Sequence, residues 1–160
     1  MSPRPGRVLL WVVVVILAAF AAAQFFPVDR TTPPVDPSRA IGAHLAVPQP
    51  VADILERSCR DCHSYATRWP WYVRVAPASW FMAGHVREAR EHMNLSEWGT
   101  YDRGEMSELL GEMCGEVRER NMPLPSYLLL HRGARLSDAD IELLCGWTEE
   151  ARRALGEAGR

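Results

Sequence analysis

The longest unbroken apolar stretch runs from Val8 to Ala23, and no charged residue appears between positions 8 and 28. At 1.5 Å per residue, 21 uncharged residues give roughly 30 Å of helix, about the hydrocarbon thickness of a bilayer. The run is apolar on every face, which argues against a core helix and for a membrane span. Arg4 and Arg7 precede it and no basic residue follows directly, so the expected orientation leaves the N-terminus cytoplasmic and sends the rest across. The rival reading is a signal peptide cut near Ala21-Ala22-Ala23. Phe25 and Phe26 continue the apolar run beyond that point, which favours a retained anchor.

After the run the pattern changes twice. Residues 27–50 contain six prolines, at 27, 33, 34, 37, 48 and 50, and read as an extended tether. His44 within it reads as a solvated linker residue. From position 51 the apolar positions take helical spacing. Val51, Ile54 and Leu55 predict a helix over 51–59. Met82, Val86, Ala89 and Met93 predict one over 79–93, closed at Asn94. Met106, Leu109, Leu110, Met113 and Val117 predict one over 102–117. Ser137 to Asp140 resembles a capping box, followed by Ile141, Leu144, Cys145 and Thr148 on one face. Alternating strand patterns are nearly absent, so the expected fold is all-α. The expected plan is an anchor at 1–28, a tether at 29–50 and a helical domain at 51–155.

Composition narrows the partners. The formal charge is −2, and every basic residue is Arg. Apart from Arg4 and Arg7, 16 Arg face 20 acids, a net −4. That balance gives no nucleic-acid footprint and suits a mildly acidic domain.

The chemistry sits at Cys59-Arg60-Asp61-Cys62-His63. A C-x-x-C-H run reads as covalent c-type haem attachment. Two thiols three positions apart can each join one vinyl group of the same porphyrin, and the adjacent His63 can offer a ring nitrogen to iron. Zinc would need two further ligands at paired spacing, whereas Cys114 and Cys145 are single and distant. A dithiol redox motif expects a βαβ setting that is missing here. Cys114 and Cys145 fall on core-facing stripes of two helices, and in an exported domain they are expected to pair.

Just after the motif, Trp69, Trp71 and Tyr72 crowd into four residues, and a porphyrin would give them something flat and apolar to pack against. Arg68 and Arg74 are candidate partners for haem propionates. Met106 and Met113 belong to a core stripe. Met122 instead lies in a proline-stiffened loop 59 residues after His63, and is the expected sixth ligand of iron. His131 is the next candidate.

The order of helix, C-x-x-C-H, helices, loop Met-Pro and C-terminal helix resembles class I cytochrome c. Cys59-Arg-Asp-Cys62-His63-Ser64, Trp69-Pro-Trp71-Tyr72, Val75-Ala-Pro77-Ala-Ser79-Trp80, Asn94-Leu-Ser96-Glu-Trp98, Met122-Pro-Leu-Pro-Ser-Tyr127 and Leu136-Ser137 resemble the bacterial haem-binding domain family of cytochrome c-like proteins. The resemblance covers about residues 35–150. It implies one covalent haem c with its iron, an N-terminal membrane segment and a periplasmic domain on the bacterial inner membrane.

The expected function is a membrane-tethered mono-haem carrier of single electrons rather than an enzyme. Its partners would be membrane or periplasmic redox proteins, with the bilayer held through residues 8–28. The alternative is a haem sensor or small peroxidase-like enzyme with an exchangeable sixth ligand, for which His85, His92 and Arg120 are the available polar groups.

Overall fold

The computed structural model describes residues 5–157; Arg4, one of the two arginines ahead of the apolar run, lies outside them. Among the described residues all regular structure is helical and no strand occurs, as the sequence pattern predicts. In order, the α-helices are α1 (Pro5–Ala23), α2 (Ile41–His44), α3 (Gln49–Ser58), α4 (Arg60–His63), α5 (Ala78–His92), α6 (Arg103–Arg118), α7 (Pro125–Leu128) and α8 (Asp138–Glu157). Short 3-10 turns occupy Trp71–Arg74, Trp98–Thr100 and Arg132–Ala134. The chain forms two compact units. One combines Trp69–His85 with the chain up to Thr31, and the other holds Thr32–Arg68 and the chain from Val86 onward.

In the first unit α1 is long and apolar enough to cross a membrane, and none of its residues is buried. Residues 69–80 are laced to the segment just after it. The Gln24 side chain accepts from Ala76 N at 3.0 Å and donates to Ala76 O at 3.3 Å. Trp80 Nε1 donates to Phe26 O at 2.8 Å, and Trp69 Nε1 to Arg30 O at 3.2 Å. Val73, Ala76 and Ser79 are buried.

In the second unit α6 and α8 make the most extensive helix pair, and α3 packs on α8. Their buried faces are the predicted stripes: Val51, Ile54 and Leu55 on α3, Leu110 and Val117 on α6, Leu144 on α8. A disulfide joins Cys114 to Cys145 across α6 and α8, with an S–S length of 2.07 Å. Closing a loop of that size is worth about 3–4 kcal/mol in the chain-entropy model. The proline-rich segment belongs to the packing as well. Leu45 is buried, Ile41 N donates to Leu95 O at 2.9 Å, and Trp147 Nε1 donates to Ala46 O at 2.9 Å. His44 Nε2 lies 3.1 Å from Ser38 O, and its ring rests against Gly99, where a Cβ would require the exposed imidazole to move aside.

Caps set the helix ends. Asp102 and Glu105 form a reciprocal capping box at the start of α6. At its end Arg120 takes φ 61°, the left-handed turn usually given to glycine. Its guanidinium holds the Leu136 carbonyl at 2.8 Å and pairs with Asp138, which offsets the strain. Ser137 and Asp140 cap α8 in the same reciprocal way, with bonds of 2.8 and 3.1 Å.

Asp140 also meets Arg57 of α3 at 2.7 Å, and this guanidinium first, then the Ser137 backbone, holds the carboxyl at about 2 against an ordinary 3.8. A carboxyl whose folded pKa is depressed adds stability above its unfolded value, and that stability is lost as pH falls through the folded one. Asp140→Asn should therefore cost about 1 kcal/mol at neutral pH, the usual worth of a cap with a screened surface pair. In thermal melts across pH, the gap between variant and parent should close between about pH 4 and pH 2.

Candidate functional site

The site begins where α3 ends. Cys59 N closes the helix on Leu55 O at 3.0 Å, and one further turn follows, in which Cys62 N and His63 N both donate to Cys59 O at 3.2 and 2.9 Å. Two thiols and an imidazole thereby share a single turn. Cys59 packs against the core of the second unit. Burial pushes its thiol up to about 12; burial and then Asp61 push Cys62 up to about 11. Both thiols stay protonated at neutral pH, unlike the low-pKa thiolates of dithiol redox sites. Cys114 and Cys145 are taken by their disulfide, and among the described residues no three His, Cys, Asp or Glu cluster to hold a metal ion. Neither a zinc site nor a reactive dithiol has support here.

His63 Nδ1 lies 3.0 Å from the carbonyl oxygen of Met93. A carbonyl only accepts, so Nδ1 carries the proton, and in the neutral ring Nε2 keeps its lone pair. Burial lowers the His63 pKa, against the smaller opposing effects of the Met93 and Ala89 carbonyls, so the ring is neutral at pH 7. An imidazole oriented through one nitrogen and open at the other has the form of a metal ligand held by its outer contacts.

The chain leaving the motif is clipped to the loop after α5. Leu95 N donates to His63 O at 2.7 Å, and Tyr65 N to Ser96 Oγ at 3.0 Å. Asn94 Oδ1 accepts from Ser96 N at 3.0 Å, and Tyr101 Oη accepts from Asn94 N at 2.9 Å. Arg90 reaches back from α5, with Nε on Ser64 O at 2.8 Å, Nη2 on Thr67 Oγ1 at 2.6 Å, and its guanidinium 5.5 Å over the Tyr65 ring.

Met122 is half-buried against the same core as Cys59. Its loop is tied to the motif, because Tyr127 Oη donates to Asp61 Oδ2 at 3.2 Å. Tyr127 in turn stacks on His131 at 3.9 Å. Of the propionate candidates, Arg68 donates to Asp61 Oδ1 from both N and Nε, at 3.2 and 3.3 Å. Arg74 is exposed in the first unit. That unit also holds Trp69, on the Arg30 carbonyl, and Trp71, whose ring meets Tyr72 edge-on at 6.0 Å.

Of the polar groups considered for an exchangeable site, His92 and Arg120 are engaged with carboxylates, while His85 is hydrogen-bonded through Nδ1 alone. His85 Nδ1 lies 2.8 Å from Phe81 O, His92 pairs with Glu112 at 3.0 Å, and Arg120 holds Leu136 and Asp138. Three contributors escaped the sequence reading: the Met93 carbonyl, Arg90, and Tyr127 as the link to Asp61. Only Tyr127 left a signal, its place in the Met122-Pro-Leu-Pro-Ser-Tyr127 run.

These residues fit a haem. The thiols are neutral, one imidazole nitrogen is open, and a thioether packs on the same core as Cys59. Ser58 Oγ, Arg60 Nε and Trp98 Nε1 are buried donors without an acceptor among the described residues. Each such donor costs about 1–3 kcal/mol if left unmet. Ser58 and Arg60 flank Cys59, and haem propionates are acceptors of the kind these donors lack.

An all-helical domain built in this way around a C-x-x-C-H turn is of the haem-binding class. The model of the haem-binding domain family matches residues 18–150, and the chain belongs to that family. No curated protein and no solved structure matches it.

Arg90→Met keeps the apolar stem but frees Ser64 O and Thr67 Oγ1. It should cost about 2 kcal/mol. Amide exchange should quicken at residues 64–67 while the amides of α6 and α8 stay protected, as hydrogen-exchange mass spectrometry would show.

Proposed function

We propose that this protein is a membrane-tethered c-type cytochrome that carries single electrons on the periplasmic side of a bacterial inner membrane. The observation that carries the reading is the His63 ring, neutral, fixed through Nδ1 and open at Nε2, on the same turn as two protonated thiols. Cys59 and Cys62 would hold the porphyrin as thioethers, and His63 Nε2 and Met122 would be the ligands of its iron. When bound, haem supplies an iron centre that takes up and gives up one electron. The chain supplies the rest. The core packed beside Cys59 would limit the water reaching a bound porphyrin, and a Met thioether would favour the ferrous state relative to bis-His ligation. Tyr127, through Asp61, keeps the Met122 loop beside the motif. The span α1 confines the protein to the membrane surface and raises its effective concentration for a membrane redox partner. A sensor or peroxidase-like role needs a polar distal group, and the pairing of His92 with Glu112 and of Arg120 with Asp138 does not favour those two for it.

The pyridine haemochrome spectrum of the purified full chain should be that of a porphyrin without free vinyl groups, and acid–acetone should fail to extract the haem. Extraction of intact haem would refute covalent attachment. Carbon monoxide should leave the reduced spectrum unchanged on mixing, and should bind quickly once Met122 is replaced in Met122→Ala. Rapid binding to the parent protein would remove Met122 as the distal ligand.

A further inference from the structure

The first unit exposes more large apolar surface than a water-facing segment usually does. Trp71 is 77% exposed, Phe81 54%, and Phe25 and Phe26 83% and 68%. Single exposed apolar residues need no explanation, but an aromatic cluster marks an interaction surface. This one has a fixed place. The four side-chain hydrogen bonds from Gln24, Trp80 and Trp69 bind residues 69–80 to residues 24–30, directly beyond the last turn of α1. These bonds hold Trp69, Ala76 and Trp80 beside the segment that leaves α1, and Trp71 and Phe81 are their near neighbours in the chain.

The charges agree. Between Asp61 and Glu88 there is no acidic residue, and from Trp69 to His85 the only charged side chain is that of Arg74. Tryptophan is enriched where a span leaves the hydrocarbon, because its ring is apolar and its N–H polar. An arginine there meets headgroup phosphates without an acid to repel them.

We propose that Trp69–His85 is a membrane-seated collar, in which Trp71, Trp80 and Phe81, with Phe25 and Phe26, rest in the phospholipid interface of the bilayer that α1 crosses, and Arg74 faces the headgroup phosphates. The inference rests on the tether reading and extends it, since the protein then holds the bilayer through a second stretch of chain some forty-five residues beyond the span. The collar lies on the membrane rather than through it, as interfacial amphipathic elements do.

The test uses the full chain in nanodiscs of phosphatidylcholine and phosphatidylglycerol doped with a photoactivatable phospholipid. One lipid carries its diazirine close to the glycerol, another at the acyl terminus. Adducts are mapped by peptide mass spectrometry. Peptides from α1 should react with both lipids, and Trp69–His85 with the shallow one alone. Replacing Trp71→Ser and Phe81→Ser together, both on exposed side chains, should lower the shallow adducts of 69–85 several-fold and leave those of α1 unchanged. Adducts on α1 with none on 69–85 would overturn the collar and leave the tether standing. Adducts on neither would overturn the tether itself. Equal labelling of 69–85 by both lipids would overturn its interfacial depth.

Discussion

A backbone carbonyl has no proton to give, so the 3.0 Å contact between His63 Nδ1 and Met93 decides where the imidazole proton sits. That oxygen lies just past the last turn of α5, among the carbonyls a helix end leaves without an internal partner. One bond thus settles a helix terminus and a histidine tautomer together. It is worth about 1 kcal/mol net, but breaking it would strand a buried N–H at a further cost of the same order or more. The clip at Asn94-Leu95-Ser96 follows from it, because a ring held at Met93 brings the backbone of His63 and Tyr65 beside residues 95 and 96, where two more bonds form.

The rest of the second unit holds that arrangement rigid. Arg57, two residues before Cys59, is fastened to the cap of α8 through Asp140, and α8 is fastened to α6 by the disulfide. Beyond α6 the left-handed turn at Arg120 sends the chain to Met122, and Tyr127 brings the loop back to Asp61 inside the motif. The loop from Cys59 through three helices to Met122 therefore closes on itself through side chains.

The helices were legible because their stripes are strong. Val51, Ile54 and Leu55, or Leu110 and Val117, carry the 3.6-residue period and are buried as that period requires. The pairing of Cys114 with Cys145 was legible for the same reason, since both stripes face one core. The motif itself was legible because its residues are contiguous. What could not be read was anything carried by backbone atoms or by distance. The Met93 carbonyl has no side-chain signature, and Arg90 looks like any helix arginine until its reach to Ser64 is seen. The proline-rich stretch reads as a tether from composition, yet Leu45 and the Ala46 carbonyl are drawn into the packing by Trp147, a residue about a hundred positions away. The aromatics after the motif illustrate the same limit. Sequence proximity offered a porphyrin to Trp69, Trp71 and Tyr72, and could not show that the Trp69 indole donates to the distant Arg30 carbonyl.

Charge follows packing rather than sequence order. Beyond α1 the residues of the first unit carry two Arg and one acid, a net +1, although about a third of the unit lies beyond the motif; those of the second carry 14 Arg and 19 acids, a net −5. A positive, aromatic unit is attracted by anionic headgroups, and an acidic one is repelled, each within about a Debye length of the surface. The two effects act in concert. In the tethered reading proposed above, attraction would favour the first unit at the interface and repulsion would disfavour the second there. Such a distribution needs no contact between the units to work, because it depends only on which residues each one contains.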